Sequence, residues 1–209
     1  MATAIYKTKD GTCVPGVTTV LGVINKPFLV TWANNLGLQG INCRAYVDEL
    51  ATIGTLAHYL VECNVKGCDP YLGNYTPEQV EQAQKCFTKW LEWRGNREII
   101  PILQESPLVN EQHRYGGTID LYVRIDGVPT LIDIKTAKAI YSEQRAQVTA
   151  YRYLLRDNGC PVDRAQIVRI GRNEDEAFEV AEVTDETGAQ WQIFQHALEI
   201  YRLQKEVKW

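Results

Sequence analysis

Residues 115–138, YGGTIDLYVRIDGVPTLIDIKTAK, constrain the fold more than any other segment of this 209-residue chain. Two runs rich in β-branched and other apolar residues, 118–125 and 129–136, are separated by an Asp-Gly pair. Asp-Gly between two such runs is the strongest short sequence signal for a β-hairpin. The segment therefore predicts two neighbouring antiparallel strands.

The segment 76–95 carries the clearest helix signals in the chain. Thr76 is placed to cap it, Pro77 takes the first helical position, Gln79 completes a capping box and Gly95 ends it. Apolar residues recur along it at helical spacing and predict the face that packs into the core. They are Val80, Ala83, Phe87, Trp90 and Leu91.

The remaining segments predict an α/β or α+β fold with a central mixed β-sheet flanked by helices. Residues 17–66 are mostly helical, with Thr18 or Thr19 as an N-cap and 47–65 as a long amphipathic stretch. Strands are expected at 100–109, 166–172 and 177–184, and helices at 142–157 and 186–206. A strand, a helix and another strand in that order imply a right-handed parallel crossover.

The chain is expected to be a single domain over residues 1–209. Residues 1–98 form a mainly helical lead-in that carries His58, 99–185 form the sheet core with the site, and 186–209 form a C-terminal helix. The length and the 45% hydrophobic content suffice for one core of this size.

Charged residues interrupt both strands of the predicted hairpin. Side chains alternate across a strand, so Ile119, Leu121, Val123 and Ile125 should share one face and Asp120 should point to the other. On the second strand Asp133 and Lys135 share a face. The pairing should bring all three charged groups to one side of the sheet.

Two carboxylates held close together in a half-buried place repel each other unless a cation lies between them. Oxygen ligands from Asp120 and Asp133, with the backbone carbonyl of Ile134, suit Mg²⁺ or Mn²⁺. Lys135 could position or deprotonate a water, or neutralise charge that develops on a phosphate. A D-x-K triplet alone is more often a surface salt bridge than a catalytic pair. Here the triplet is followed by a helix that carries Gln147 and Tyr151 one turn apart, which favours a catalytic site.

Three of these stretches, GGTID, LIDIKT and QVTAY, resemble motifs of the PD-(D/E)XK nuclease superfamily. The likeness is to the RecB-like branch, which includes phage exonucleases, CRISPR-associated RecB-like nucleases and the mitochondrial genome-maintenance exonuclease. Upstream, GTLAHYLVE resembles the helical segment of that branch that carries a metal-binding histidine. VPGVTTVLGVINKPFLVTWA is similar to the N-terminal stretch of phage-type members, so the likeness spans roughly residues 14–155.

The resemblance implies an α/β fold with a restriction-endonuclease-like central mixed β-sheet. It also implies a metal-dependent DNA exonuclease with one or two Mg²⁺ or Mn²⁺ ions. His58, Asp120 and Asp133 would hold the metal and Lys135 would serve the attacking water. Gln147 and Tyr151 would support the site and contact DNA. Residues expected more loosely to contact substrate are Glu62, Glu105, Thr136, Arg145, Tyr141 and Trp32, of which Glu105 matches a family glutamate and Glu62 could instead orient His58.

The substrate implied is single-stranded DNA or duplex ends, in phage or bacterial recombination, repair or DNA degradation. A net charge of −4 argues against a protein that passively coats DNA. No Walker A sequence occurs, so no nucleotide cofactor is expected and any helicase or recombination partner would be a separate chain. No apolar run is long enough for a membrane and no signal peptide is evident, which predicts the cytoplasm of a bacterium or a phage-infected host.

The six cysteines are expected to be free thiols. Several relatives carry an iron–sulfur cluster that needs three cysteines near the C-terminus, and here Cys160 alone follows the D-x-K strand, so no cluster is expected. A zinc site at His58, Cys63 and Cys68 would lack a defined fourth ligand.

Two alternatives stay open from the sequence. The chain could be an inactive nuclease-like module that only binds DNA or a protein, which metal-dependent thermal stabilisation would argue against. It could also be a dimeric structure-specific endonuclease, which its molecular mass in solution would test.

Overall fold

The computed structural model describes residues 4–173 and 176–207. Within those ranges the chain forms seven strands and six helices. In chain order they are β1 (Tyr6–Lys7), β2 (Cys13–Val14), α1 (Val17–Leu21), α2 (Phe28–Leu38), α3 (Cys43–Lys66), α4 (Pro77–Arg94), β3 (Ile99–Asn110), β4 (Tyr115–Ile125), β5 (Val128–Lys135), α5 (Ser142–Asp157), β6 (Arg164–Arg169), β7 (Glu179–Glu182) and α6 (Ala189–Glu206).

The five strands β3 to β7 form one mixed sheet in sequential order. β5 and β6 are parallel and are connected through α5, whereas the other neighbouring pairs are antiparallel. The predicted α/β class, the hairpin and the parallel crossover are confirmed. The last two strands are shorter than predicted, and β1 and β2 form a small separate sheet that the sequence did not predict.

The Asp-Gly turn fixes the register of the hairpin. Asp126 and Gly127 both have positive φ, 49° and 86°, as a two-residue type I′ turn requires. Ile125 consequently pairs with Val128, and the ladder runs back to Leu121 opposite Ile132. Because the turn sets this register, it also determines which residues of β4 and β5 face each other at the end of the hairpin away from the turn.

Both faces of the sheet are covered by buried apolar side chains. One cluster joins α1, α5 and α6 to the sheet and includes Phe194 and Leu154. The other joins α3 and α4 to the opposite face and includes Leu56 and Trp90. A sheet buried on both faces explains why β5 is apolar along most of its length.

Helix α4 begins and ends as predicted. The Thr76 hydroxyl accepts from the Gln79 amide while the Gln79 side chain accepts from the Thr76 amide, at 3.3 and 3.1 Å. Trp90 is fully buried, and its indole donates to Asn64 at 3.1 Å. Leu91, predicted in the core, is instead 40% exposed, because it lies at the edge of the apolar face.

Helix α1 begins differently from the prediction. Its N-cap is Gly16, and Thr18 and Thr19 lie inside the helix. Gly16 also bridges to Gly116 on β4, which anchors this helix against the sheet. None of the described helices is long and apolar enough to span a lipid bilayer.

The Gly-Gly pair at the start of β4 is required by two tyrosine rings. A Cβ on Gly116 would lie 2.3 Å from the Tyr6 ring, and one on Gly117 would lie 2.6 Å from the Tyr151 ring. Both distances are shorter than any real carbon–carbon contact. The pair therefore lets α5 and the N-terminal segment approach the strand closely.

Candidate active site

The charged residues of the hairpin lie where β4 and β5 separate. The β4–β5 ladder ends at Leu121 and Ile132, and the next position of each strand is Asp120 and Asp133. Beyond this point the Ile134 amide donates to Asp120 Oδ2 at 2.8 Å instead of to a strand carbonyl. The carboxylate of Asp120 therefore occupies the gap between the two strands.

The alternation of β4 breaks at the same place. Leu121, Val123 and Ile125 face α3 and α4 as a set, but Ile119 packs on the α5 side. The prediction that Ile119 shares their face was wrong, because strict period-two alternation holds only where a strand stays regular. At this break the Asp120 carboxylate lies near His58 of α3 and also close enough to Asp133 to affect its pKa.

Asp133 and Lys135 form a buried ion pair. Asp133 is 1% exposed, and its Oδ2 lies 2.7 Å from Lys135 Nζ. Burial raises the pKa of Asp133 to about 7, with Asp120 adding to the rise and Lys135 opposing it. The pKa of Lys135 is raised as well, because attraction to Asp133 and Asp120 outweighs the effect of burial.

Helix α5 packs against the sheet and contacts this ion pair through Gln147. The Gln147 amide donates to Asp133 Oδ1 at 3.4 Å and to the Tyr151 hydroxyl at 3.0 Å. Burial raises the pKa of Tyr151 well above its ordinary value, so its hydroxyl remains protonated. Gln147 and Tyr151 lie one helical turn apart, and they hold the Asp133 carboxylate in place.

His58 reaches the site from α3. One turn earlier, a Cβ on Gly54 would lie 2.9 Å from the Thr136 hydroxyl, so the glycine allows close approach of helix and strand. His58 Nδ1 lies 3.7 Å from Asp120 Oδ2. Burial lowers the pKa of His58, with Lys135 contributing, although Asp120 opposes the change. A neutral imidazole is the form that binds metal.

Glu105 completes a group of three ligand side chains. On β3 it lies between Gln104, which pairs with Leu121, and Ser106, which pairs with Ile119. Its φ is positive, at 43°. Ligand atoms of His58, Glu105 and Asp120 all lie within 4.8 Å of one another. Burial raises the pKa of Glu105 to about 7, and the charges of Asp120 and Glu62 add to this.

The role of Glu105 is larger than the sequence indicated. The sequence suggested it only as a loose substrate contact, since its position beside Asp120 depends on the pairing of β3 with β4. The match of Glu105 to a family glutamate was a signal for it, but its place beside Asp120 depends on the register of that pair. Asp133, predicted as a metal ligand, lies outside this group of three within the described residues and is engaged by Lys135.

The three ligands line an open cavity of about 440 Å³. Glu62 lines the same cavity and pairs with Lys66 one turn along α3. The Ile134 carbonyl should also point toward this gap: Lys135 O accepts from Ile170 on the β6 side, and consecutive carbonyls of a strand alternate. The cavity therefore has oxygen and nitrogen atoms that could bind a metal ion on several of its sides.

The other residues predicted to contact the substrate do not belong to the group formed by His58, Glu105 and Asp120. Thr136 lines a neighbouring cavity with His58 and Lys135, and Trp32 and Tyr141 line a third. Arg145 lies elsewhere: its guanidinium donates to the Glu182 carbonyl at 3.1 Å, which ties it to β7. This contact gives Arg145 a structural role.

The donor set fits a divalent cation. One imidazole and two carboxylates suit Mn²⁺, and the carboxylates suit Mg²⁺. Burial is the main cause of the raised pKa values of Glu105 and Asp133, and repulsion from Asp120 adds to both. Cys63 and Cys68 take part in no such group of three within the described chain, which leaves the zinc alternative without support.

No protein-family model matches the chain, and no curated protein matches it. Among solved structures, the chain is similar to a protein of Eubacterium rectale called a "putative exonuclease", with a TM-score of 0.49 and 14% sequence identity. The similarity covers 73% of this chain and 65% of that one, so this chain spans about two thirds of its length. At this distance the assignment of function depends on the side chains of the site.

Proposed function

We propose that this chain is a divalent-metal-dependent nuclease of the PD-(D/E)XK type that hydrolyses phosphodiester bonds in DNA. The observation that supports this most is the convergence of His58, Glu105 and Asp120 within 4.8 Å, beside the buried pair of Asp133 and Lys135. The motif order also supports the RecB-like, phage-type branch.

His58, Glu105 and Asp120 would hold the cation, with Asp133 and the Ile134 carbonyl next to them. When bound, the cation supplies Lewis-acid stabilisation of a phosphoryl oxygen and lowers the pKa of a coordinated water. The chain itself orients the group: Ile134 fixes Asp120, and Gln147 fixes Asp133.

Lys135 would stabilise the charge that develops on the phosphate rather than deprotonate the attacking water. Its pKa is raised rather than lowered, so the ammonium stays protonated at neutral pH and is a poor base. A fixed positive charge next to the reacting phosphate stabilises the negative charge that develops in the transition state.

The crowded carboxylates also couple the site to folding. The folded-state pKa values of Asp133 and Glu105 are about 7, above the ordinary values of acids. An acid whose pKa is raised by folding destabilises the native state as pH rises from about 4 to about 7, and the loss is complete above that. A bound cation offsets this loss, so the metal serves both stability and chemistry.

Exonuclease action on unpaired strands or duplex ends is part of the proposal, as is a role in phage or bacterial recombination, repair or DNA degradation. A separate helicase or recombination protein would be its partner. The support is the resemblance of the motifs, together with a helical first part that places α3 against the site.

The test is a cleavage assay on linear and covalently closed circular DNA, single- and double-stranded, with Mg²⁺ or Mn²⁺. We expect linear DNA to be degraded from its ends, closed circles to remain intact, and a chelator to stop the reaction. Cleavage of closed circles would remove the exonuclease part alone. No cleavage of any substrate with either cation would contradict the nuclease proposal.

A further inference from the structure

Three cavities lie in series alongside α3. The metal-site cavity shares His58 with a second cavity of about 360 Å³, lined by Lys135 and Thr136. The second shares Leu50, Ala137 and Arg172 with a third, of about 510 Å³. The metal site and the third cavity are therefore neighbours of the same middle cavity.

The third cavity is walled by aromatic side chains from three separate segments. We call it the aromatic groove; its rings are Phe28, Trp32, Tyr46 and Tyr141. Phe28 and Trp32 lie one turn apart on the same face of α2. Phe28 stacks on Tyr141 with ring centroids 5.8 Å apart, and Trp32 contacts Tyr46 at 6.2 Å.

These rings are only partly covered by protein. Phe28 is 50% exposed and Tyr46 is 40% exposed. Along α2, Leu36 is the one buried residue, although the helix is mostly apolar. Aromatic surface of this extent on one side of an open groove is available to a ligand with flat, apolar faces.

The charges around the groove are moderate. Lys138 lines it and is exposed, whereas the Arg172 guanidinium is engaged by Glu176. Lys26, close in sequence to Phe28, pairs with Glu143. One exposed cation beside four rings suits a ligand that carries a few phosphates and is held mainly by stacking.

We propose that the aromatic groove stacks unpaired bases of the same nucleic-acid strand whose phosphate lies at the metal site. This rests on the proposed nuclease function and adds a specificity subsite to it. Bases inside a duplex are stacked on each other and offer no free face, so the groove selects single strands or frayed ends. Because the groove and the metal cavity flank the same middle cavity, a nucleic-acid strand that extends from the metal site is a better fit than a partner protein.

The test measures binding without cleavage, by fluorescence anisotropy of a labelled single-stranded oligonucleotide in chelator. Trp32→Leu and Tyr141→Leu remove a ring but keep an apolar side chain, and each is expected to weaken binding about tenfold. Tyr201→Leu, on α6, is the matched control and should bind like the wild type. Thermal denaturation of each variant verifies folding.

A second ligand tests stacking without any mutation. An oligonucleotide of the same length with abasic positions should bind the wild type about tenfold more weakly than the normal one. The two ligands should bind Trp32→Leu almost equally, because the ring and the base act as a pair. Equal binding of both ligands to the wild type would overturn the proposal and leave the groove open to a protein partner.

A small phosphodiester separates failure of the groove from failure of the nuclease site. The p-nitrophenyl ester of thymidine 5′-phosphate needs the metal site alone, and we expect the wild type to hydrolyse it with Mn²⁺. If the wild type does not hydrolyse it, the nuclease function fails. If it does and the groove variants bind oligonucleotide like the wild type, the groove proposal fails.

Discussion

Replacing Asp120 with asparagine is expected to lower the rate of DNA cleavage by at least about 10³-fold. The side chain keeps its shape, and an asparagine oxygen can still accept from the Ile134 amide. The substitution removes the charge of the carboxylate that Asp120 contributes to the group with His58 and Glu105. The measurement is the initial rate on linear DNA with Mn²⁺.

The stability of the Asp120→Asn variant distinguishes a lost ligand from a damaged fold. Asp120 raises the pKa of both Glu105 and Asp133 by repulsion. Removing that charge should leave the metal-free Tm equal to or above that of the wild type, while the rise in Tm on adding Mn²⁺ disappears. Asp163→Asn, at an exposed carboxylate, is the control for both measurements. Cleavage at the wild-type rate would remove Asp120 from the site.

Replacing Lys135 with methionine is expected to lower the cleavage rate by about 10²–10⁴-fold. The substitution keeps much of the buried side-chain volume but removes the charge that pairs with Asp133 at 2.7 Å. Without Lys135 the pKa of Asp133 should rise above 7, since Lys135 opposes the effect of burial. Lys205→Met, at a surface lysine on α6, should cleave like the wild type.

Lys135→Arg tests which role the lysine has. Arginine stays protonated throughout, so it can stabilise charge but cannot act as a base. If Lys135 stabilises developing charge, the arginine variant should retain more activity than the methionine variant. Equal loss in both would contradict the charge role, and full activity in Lys135→Met would contradict the assignment of the site.

Local signals predicted much of the fold. The capping box at Thr76 and the Asp-Gly turn at Asp126 each fix a short segment without help from distant residues, and both were confirmed. The position of Asp120 near Asp133 then follows from the register of one hairpin. The Asp-Gly turn alone therefore suffices to predict that these two carboxylates are neighbours.

Other features depend on contacts that no local pattern carries. Glu105 joins the candidate site through the pairing of β3 with β4 and an unusual backbone at its own position. Ile119 changes sides because β4 loses its regular alternation where it leaves β5. Trp32 meets Tyr46 only because α2 returns along α3. Each depends on how separate elements meet in space.

In the proposed nuclease site, His58, Glu105 and Asp120 together hold a divalent cation. The most direct measurement is the anomalous diffraction of a crystal of this protein grown with Mn²⁺. We expect a strong peak within about 2.5 Å of ligand atoms from all three side chains. A crystal with no peak there, or with manganese bound only at other positions, would contradict it.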